Sequence, residues 1–256
     1  MFFSHRPERE WQNKRFVRQD VAKNREVAEA FYRHTRDAVA ESDLPVLEVN
    51  GAQQRGDDFG ARLANAVADA FAQGYERVIA IGSDCPRLHE VDWTAVADRL
   101  RSGAPVLGPT TDRDGAYLIG LRRSQFDKSA FAALPWQSPA LLPALTRHLA
   151  TQTDTAPAFL APRDDVNGHG DLVALLRSSA SLPADLVARL RLILGEGPVA
   201  ARFTALASDT ALRGRRSRAP PSRPASNRPI AGPCEPVGDD SPRRMLAPSL
   251  RDHSSA

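Results

Sequence analysis

The sequence predicts an α/β fold in which helices cover both faces of a mainly parallel β-sheet. Short apolar, β-branched runs alternate along the chain with longer segments whose apolar residues recur at helical spacing. The run over residues 77–81 is Arg-Val-Ile-Ala-Ile and lacks the polar alternation of a half-exposed strand. Such continuous apolar runs are typical of strands that helices cover on both sides. Together these patterns favour a three-layer α/β/α sandwich.

The individual elements follow from local signals. Asp57 and Asp58 stand where they can cap a helix that Gly74 would end. Strands are predicted over residues 2–4, 45–49, 77–81, 105–108, 116–121 and 157–161. Helices are predicted over residues 24–41, 57–73, 91–101, 128–133, 139–150, 171–178 and 183–194.

The chain divides into one folded domain over residues 1–204 and a tail over residues 205–256. The tail is rich in Pro and Ser and holds nine Arg against five Asp or Glu, so the rest of the chain is close to neutral. It has too little apolar surface to offset the entropy of ordering, and we expect it to be disordered. Its arginines could bind RNA or acidic membranes, or the tail is a solvated extension. Nucleic-acid binding is therefore not favoured for the domain itself.

Composition narrows the class of protein further. A hydrophobic share of 42% with 25% charged residues is ordinary for a globular protein. Only Cys85 and Cys234 are present, which argues against a disulfide framework or a cysteine-rich metal site. No apolar run approaches the roughly 20 residues that span a bilayer, and the first residues are charged too early for a signal peptide. A cytoplasmic protein without a membrane span is the prediction.

Candidate functional residues follow the strongest strand. Gly82, Ser83 and Asp84 come directly after residues 77–81, and ligands of such sheets bind beyond the carboxyl ends of the strands. Gly82 would let the backbone approach a ligand closely. A carboxylate at Asp84 could bind a divalent cation that neutralises nucleotide phosphates. The alternative is that Asp84 caps a following helix.

A second acidic segment follows the last predicted strand. Asp165 and Asn167 would point to the same side of an extended segment, so both could meet a metal held by Asp84. The alternative is an Asx-rich turn in which Asp171 caps the next helix.

Three further positions are candidates for contacts with the donor or the acceptor. Asp114 and Gly115 enter a buried strand, where Asp114 could contact an acceptor hydroxyl or a second cation and Gly115 could leave room for the donor. A simple turn is the alternative. Trp136 could lie over an acceptor pocket, or it is a core or rim aromatic. Cys85 is not favoured as a nucleophile, because the neighbouring Asp84 should raise its pKa.

Four motifs in order resemble one protein family. They are QRGDDFGARL at residues 54–63, IGSDCP at 81–86, LGP at 107–109 with DGAYLIGL at 114–121, and LPW at 134–136. This order is similar to the bacterial domain-of-unknown-function 2064 family, which is labelled glycosyltransferase-like and is related to phospholactate guanylyltransferases and other nucleotidyltransferases. The resemblance covers about residues 1–180.

The resemblance implies a GT-A fold, a nucleotide or nucleotide-sugar donor and a small-molecule acceptor. It also implies Mg²⁺ or Mn²⁺ held by Asp84 with Asp165, and places Gln54 and Gly56 near the base or ribose. The glycine-rich first loop of nucleotide-sugar pyrophosphorylases is missing. The chain instead offers cations that could hold phosphates or form a solvated helical face, namely Arg6, Lys14 and Arg15.

Two functions remain open at this point. One is a metal-dependent transferase that moves a glycosyl or nucleotidyl group from a nucleotide-activated donor. The other is a catalytically silent GT-A-like module that binds a nucleotide or a partner protein.

Overall fold

The computed structural model describes residues 1–5, 9, 12, 14–112 and 114–196. The strands are β1 (Phe2–Phe3), β2 (Glu48–Val49), β3 (Arg77–Ile81), β4 (Val106–Pro109), β5 (Ala116–Arg122) and β6 (Ala158–Phe159). The helices are α1 (Val21–Ala40), α2 (Phe59–Ala72), α3 (Trp93–Ser102), α4 (Lys128–Ala132), α5 (Leu141–Thr151), α6 (His169–Arg177) and α7 (Ala184–Leu194). Arg6 and the predicted tail lie outside the described residues, so the boundary at residue 204 stays a prediction.

The six strands form one sheet in the order β2-β1-β3-β5-β4-β6. Strand β1 runs parallel to β2 and β3, and β4 runs parallel to β6. Only β5 is antiparallel to its neighbours β3 and β4. Five of the six described strands therefore share one direction, and the predicted mainly parallel sheet is confirmed.

Helices cover both faces of this sheet. In β3, Val78 and Ala80 pack into one core with residues of α2, α4 and α5. Ile81, which points to the opposite face, packs with residues of α1 and α3. Alternate residues of one strand thus feed two different cores, because successive side chains of a strand point to opposite faces. The three-layer α/β/α arrangement predicted from the sequence is confirmed.

A third core joins α1 to the last two helices. Phe31 of α1 packs there with Leu172 of α6 and Leu190 of α7. Val166, from the loop that precedes α6, is buried in the same cluster at 1% exposure. This core therefore fixes the loop that carries the second predicted acidic site.

Aspartate caps start several of the helices. The Asp58 carboxylate accepts a hydrogen bond from the Ala61 amide at 2.7 Å, so the predicted cap of α2 is confirmed. Asp20, Asp92 and Asp127 cap α1, α3 and α4 in the same way. Such caps satisfy amide groups of the first turn that have no partner within the helix.

The outer strands are shorter than the sequence predicts. Strands β2 and β6 have two residues each, where five were predicted for each. Both lie at an edge of the sheet, so each has a hydrogen-bonding partner on one side only. Phe159 of β6 is 49% exposed, which shows that its apolar side chain is not covered by a helix. None of the described helices combines the length and apolar character needed to cross a membrane.

Helix α2 approaches Trp136 closely at Gly60, so a larger residue at this position should destabilise the fold. A Cβ atom added to Gly60 would overlap the carbonyl oxygen of Ala132 and the indole of Trp136. We expect Gly60→Ala to lower the free energy of unfolding by about 1–3 kcal/mol, as measured by urea denaturation. Gly170→Ala in α6 is the matched control, because an added Cβ meets nothing within 4 Å there. The control should be neutral or gain up to about 1 kcal/mol, and equal stability of the two variants would contradict the packing.

Candidate functional site

A cavity of about 580 Å³ opens at the carboxyl ends of the central strands. Its walls come from segments after β1, β3, β4 and β6, from the start of β5, and from the first turn of α2. The lining includes the predicted residues Lys14, Gln54, Gly82, Ser83, Asp84, Gly115, Trp136, Asp165 and Asn167. This volume is typical of small-molecule sites, and the position is the one at which α/β sheets bind ligands.

The two predicted acidic segments meet at this cavity. The backbone amide of Val166 donates a hydrogen bond to the carbonyl oxygen of Asp84 at 2.9 Å, which ties the loop after β6 to the loop after β3. Asp84 and Asp165 both line the cavity. The structure therefore brings together two carboxylates that lie about 80 positions apart in the sequence.

The charges around Asp84 and Asp165 are closely coupled. Burial raises the pKa of Asp165, and the nearby negative charge of Asp84 raises it further. The Asn167 side-chain amide opposes this shift by donating to Asp165 Oδ2 at 2.6 Å. Lys14 Nζ lies 2.7 Å from Asp84 Oδ2 and also donates to the Val166 carbonyl at 3.4 Å. Two carboxylates that repel each other and already attract an ammonium form a site that favours cations.

Asp84, Asp165 and Asn167 could supply some of the ligands of a divalent cation, but not a full set. The described part of the chain contains no group of three or more His, Cys, Asp or Glu side chains arranged to hold a metal. Mg²⁺, however, commonly keeps several waters and binds through one or two carboxylates together with substrate phosphates. Asp84 and Asp165, with the amide of Asn167 beside them, match that requirement.

Gly82 and Ser83 form the segment that directly follows β3. Ser83 Oγ accepts a hydrogen bond from Ser4 Oγ at 2.9 Å, which joins the ends of β1 and β3. A Cβ atom at Gly82 would lie 3.3 Å from Asp84 Oδ1, so the glycine leaves space for that carboxylate. The Gln54 amide nitrogen donates to the Ser4 carbonyl at 3.0 Å and thereby anchors its loop to β1.

Three described candidates lie outside the cavity lining. Arg15 and Gly56 are exposed, and Gly56 forms a turn with a φ of +136°. Asp114 is also exposed, because hydrogen bonds from Thr110 Oγ1 and the Asp114 amide to Asp112 close the turn before β5. The structure thus places Gly115, but not Asp114, in the wall of the cavity.

Trp136 forms a fixed wall of the cavity. Its indole nitrogen donates to the Phe131 carbonyl at 2.9 Å, and its ring packs against Phe59 with centroids 5.6 Å apart. The half-buried ring reaches both the core and the cavity. Trp136 is therefore both a core aromatic and part of the cavity wall.

Several lining residues were missed by the sequence reasoning. His5 lies two residues after β1 and Thr110 follows β4 directly, so the strand-end rule could have identified both. Arg62 lies inside the first family motif but also in a helix, where a polar residue is usually a solvated one. Gln137 adopts a left-handed φ of +58° beside Trp136. Burial, with a smaller contribution from Asp84, raises the pKa of Cys85 to about 12, which leaves an unreactive thiol.

A second cavity, of about 240 Å³, lies at the amino ends of β1 and β3. It is lined mainly by apolar side chains, among them Val39, Leu47 and Leu100. Ligands of parallel sheets bind at the opposite ends of the strands, so the larger cavity is the candidate site.

A comparison with solved structures identifies a protein with a similar fold. The chain is similar to a crystal structure of a protein from Desulfovibrio desulfuricans G20 that is provisionally described as a nucleotide-diphospho-sugar transferase. The two share 22% sequence identity with a TM-score of 0.55, over 77% of this chain and 96% of the other. The two proteins therefore share a fold.

A comparison with protein families matches a shorter part of the chain. Residues 17–138 match the family described as an uncharacterized protein conserved in bacteria, DUF2064. The resemblance predicted from the four motifs is confirmed over these residues. No curated protein matches the sequence.

The raised pKa of Asp165 gives a pH-dependent prediction. An acid whose pKa is higher in the folded state destabilises the fold once it ionises, so the penalty is present at pH 7 and disappears as the pH falls below its usual range. We expect Asp165→Asn to raise the free energy of unfolding at pH 7 but not at pH 3, measured by urea denaturation. Asp164→Asn is the matched control, because the exposed Asp164 does not line the cavity. A gain at pH 7 that is equal in both variants would contradict the prediction.

Proposed function

We propose that the protein is a metal-dependent transferase that uses a nucleotide-activated donor. The observation that carries this proposal is the pair Asp84 and Asp165, held in one cavity at the carboxyl ends of the strands with Lys14 beside them. The nucleotide-diphospho-sugar transferase-like fold supports the choice of donor, either a nucleotide sugar or a nucleoside triphosphate. The transferred group is accordingly glycosyl or nucleotidyl.

The acidic pair has a defined part in this proposal. Asp84 and Asp165 would hold Mg²⁺ or Mn²⁺, which would supply positive charge to the departing phosphates. Asn167 orients the Asp165 carboxylate through its 2.6 Å hydrogen bond. Lys14 neutralises Asp84 in the ligand-free protein and would turn to the donor phosphates once a metal takes over that role.

The acceptor would bind at the Trp136 end of the cavity. The indole is fixed by its hydrogen bond to Phe131 and offers a flat apolar surface, and Gly115 also lines the cavity. The placement of Asp114 in an exposed turn does not support its direct contact with the acceptor. A small molecule fits the remaining volume.

A catalytically silent module is the second candidate. It is favoured by the Lys14–Asp84 ion pair, which satisfies the Asp84 carboxylate without a metal. Such a module would bind a nucleotide or a partner protein through the same fold. The cytoplasmic location stays a prediction under either function.

Thermal melting with and without Mn²⁺ separates the two candidates. At a donor concentration of 100 times Kd, binding adds about 2.7 kcal/mol of stability, a rise in Tm on the order of 5–10 °C. We expect the full rise with a nucleoside triphosphate or nucleotide sugar only when Mn²⁺ is present and a smaller rise in EDTA, and we expect Asp84→Asn to remove the part that depends on Mn²⁺. The exposed Asp114→Asn is the matched control and should keep it.

The opposite pattern would support the silent module. A rise in Tm that is the same with EDTA as with Mn²⁺, and that persists in Asp84→Asn, would show that the acidic pair takes no part in binding. That result would contradict the transferase proposal.

A further inference from the structure

The proposed donor needs cations for its phosphates, and of the predicted cations that the structure describes, Lys14 alone lines the cavity. Arg15 is exposed outside the cavity lining. Lys14 lines the cavity but forms an ion pair with Asp84. Within the described lining, the other permanently charged cation is Arg62. Its surroundings therefore decide where a second anion contact can form.

Arg62 lies at the cavity, and its guanidinium makes few hydrogen bonds with the protein. It lies in the first turn of α2, where the backbone fixes its position. Its Nε atom is buried without a hydrogen-bond partner, and Nη1 makes one long hydrogen bond, 3.4 Å to the Asp57 carbonyl. A buried donor without a partner costs about 1–3 kcal/mol. An acceptor that reaches this guanidinium would remove the cost.

No carboxylate in the described part of the chain forms an ion pair with Arg62. This holds although Asp57 and Asp58 are close in sequence, because Asp58 is engaged as the cap of α2. The contrast with Arg55 is direct, since the exposed Arg55 binds Asp69 through two contacts of 2.6 and 2.7 Å. The guanidinium of Arg62 therefore keeps the donor fork that matches a phosphate.

His5 adds a second unsatisfied group to the same wall. It lines the cavity, and its Nδ1 atom is buried without a hydrogen-bond partner. Burial lowers the pKa of His5, and the next contribution is the positive charge of Arg62, which places the two side chains in one electrostatic environment. Arg62 and His5 thus combine positive charge with side-chain nitrogens that have no hydrogen-bond partner.

We propose that Arg62 and His5 form an anion subsite that binds a phosphate or diphosphate group. The inference rests on the proposed function in that the anion would be the diphosphate of the donor, held between Arg62 and a metal at Asp84. A free inorganic anion has the same chemistry. In the transferase, charge from two sides would stabilise the departing diphosphate.

Calorimetric titration with inorganic pyrophosphate in EDTA tests the subsite without any metal. We expect binding to the wild-type chain, at least tenfold weaker binding to Arg62→Gln, and an intermediate loss in Arg62→Lys, which keeps the charge but not the planar fork. Arg55→Gln is the matched control and should bind as the wild type does. The Tm of each variant without ligand shows whether it is folded.

Titration with a nucleoside diphosphate in a second arm identifies the source of the anion. Weakening of both ligands by Arg62→Gln supports a subsite that also accepts the free anion. Weakening of the nucleotide alone, with pyrophosphate too weak to detect, supports a subsite that needs the rest of the donor.

Two outcomes would overturn the inference. One is binding of either anion to Arg62→Gln within twofold of the wild type, and the other is the absence of binding of both anions to the wild type. Because this experiment uses EDTA, its failure is distinct from the failure of the transferase proposal, which depends on Mn²⁺ and Asp84.

Discussion

The contact between the loops after β3 and β6 is the constraint on which the site depends. One hydrogen bond, from the Val166 amide to the Asp84 carbonyl, joins these loops at 2.9 Å. The Val166 side chain is buried among α1, α6 and α7, so the helical layer holds the loop from behind. Asp165 and Asn167 on either side of Val166 then face the cavity. Packing of an apolar residue thus sets the position of two polar ones.

The charge arrangement explains why this site suits a cation and an anion together. Asp84 and Asp165 create a negative region, and the pKa of Asp165 is raised first by burial and then by the charge of Asp84, so holding the ionised carboxylate there costs free energy. Lys14 offsets part of that cost at Asp84, whereas Arg62 has no carboxylate partner among the described residues. A metal bound to a diphosphate carries both signs and would satisfy the two carboxylates and Arg62 at once. Marginal local stability of this kind is common where a protein binds ligands.

Much of the fold could be predicted because its signals are local. The apolar run of β3 and the aspartate cap of α2 are short patterns whose physical causes lie within a few residues. The lengths of the edge strands were overestimated, because the length of an edge strand depends on how many residues of the neighbouring strand pair with it.

The site was predicted only in part, for a similar reason. Asp84 and Asp165 follow from the rule that ligands bind beyond strand ends, which needs only the order of the elements. The exposed position of Asp114 depends on side-chain hydrogen bonds within its turn, and the sequence pattern does not distinguish this turn from a cleft residue. Arg62 is polar and helical, so its burial against the cavity depends on the packing of α2 over the sheet.

The most direct test of the central claim is the position of a bound metal. Crystals grown with a nucleoside diphosphate and Mn²⁺ would show the ion by its anomalous scattering. We expect a peak within about 2.5 Å of carboxylate oxygens of both Asp84 and Asp165, with the diphosphate against the other side of the ion. A bound nucleotide with no manganese at these carboxylates, or with manganese at a different place in the protein, would contradict it.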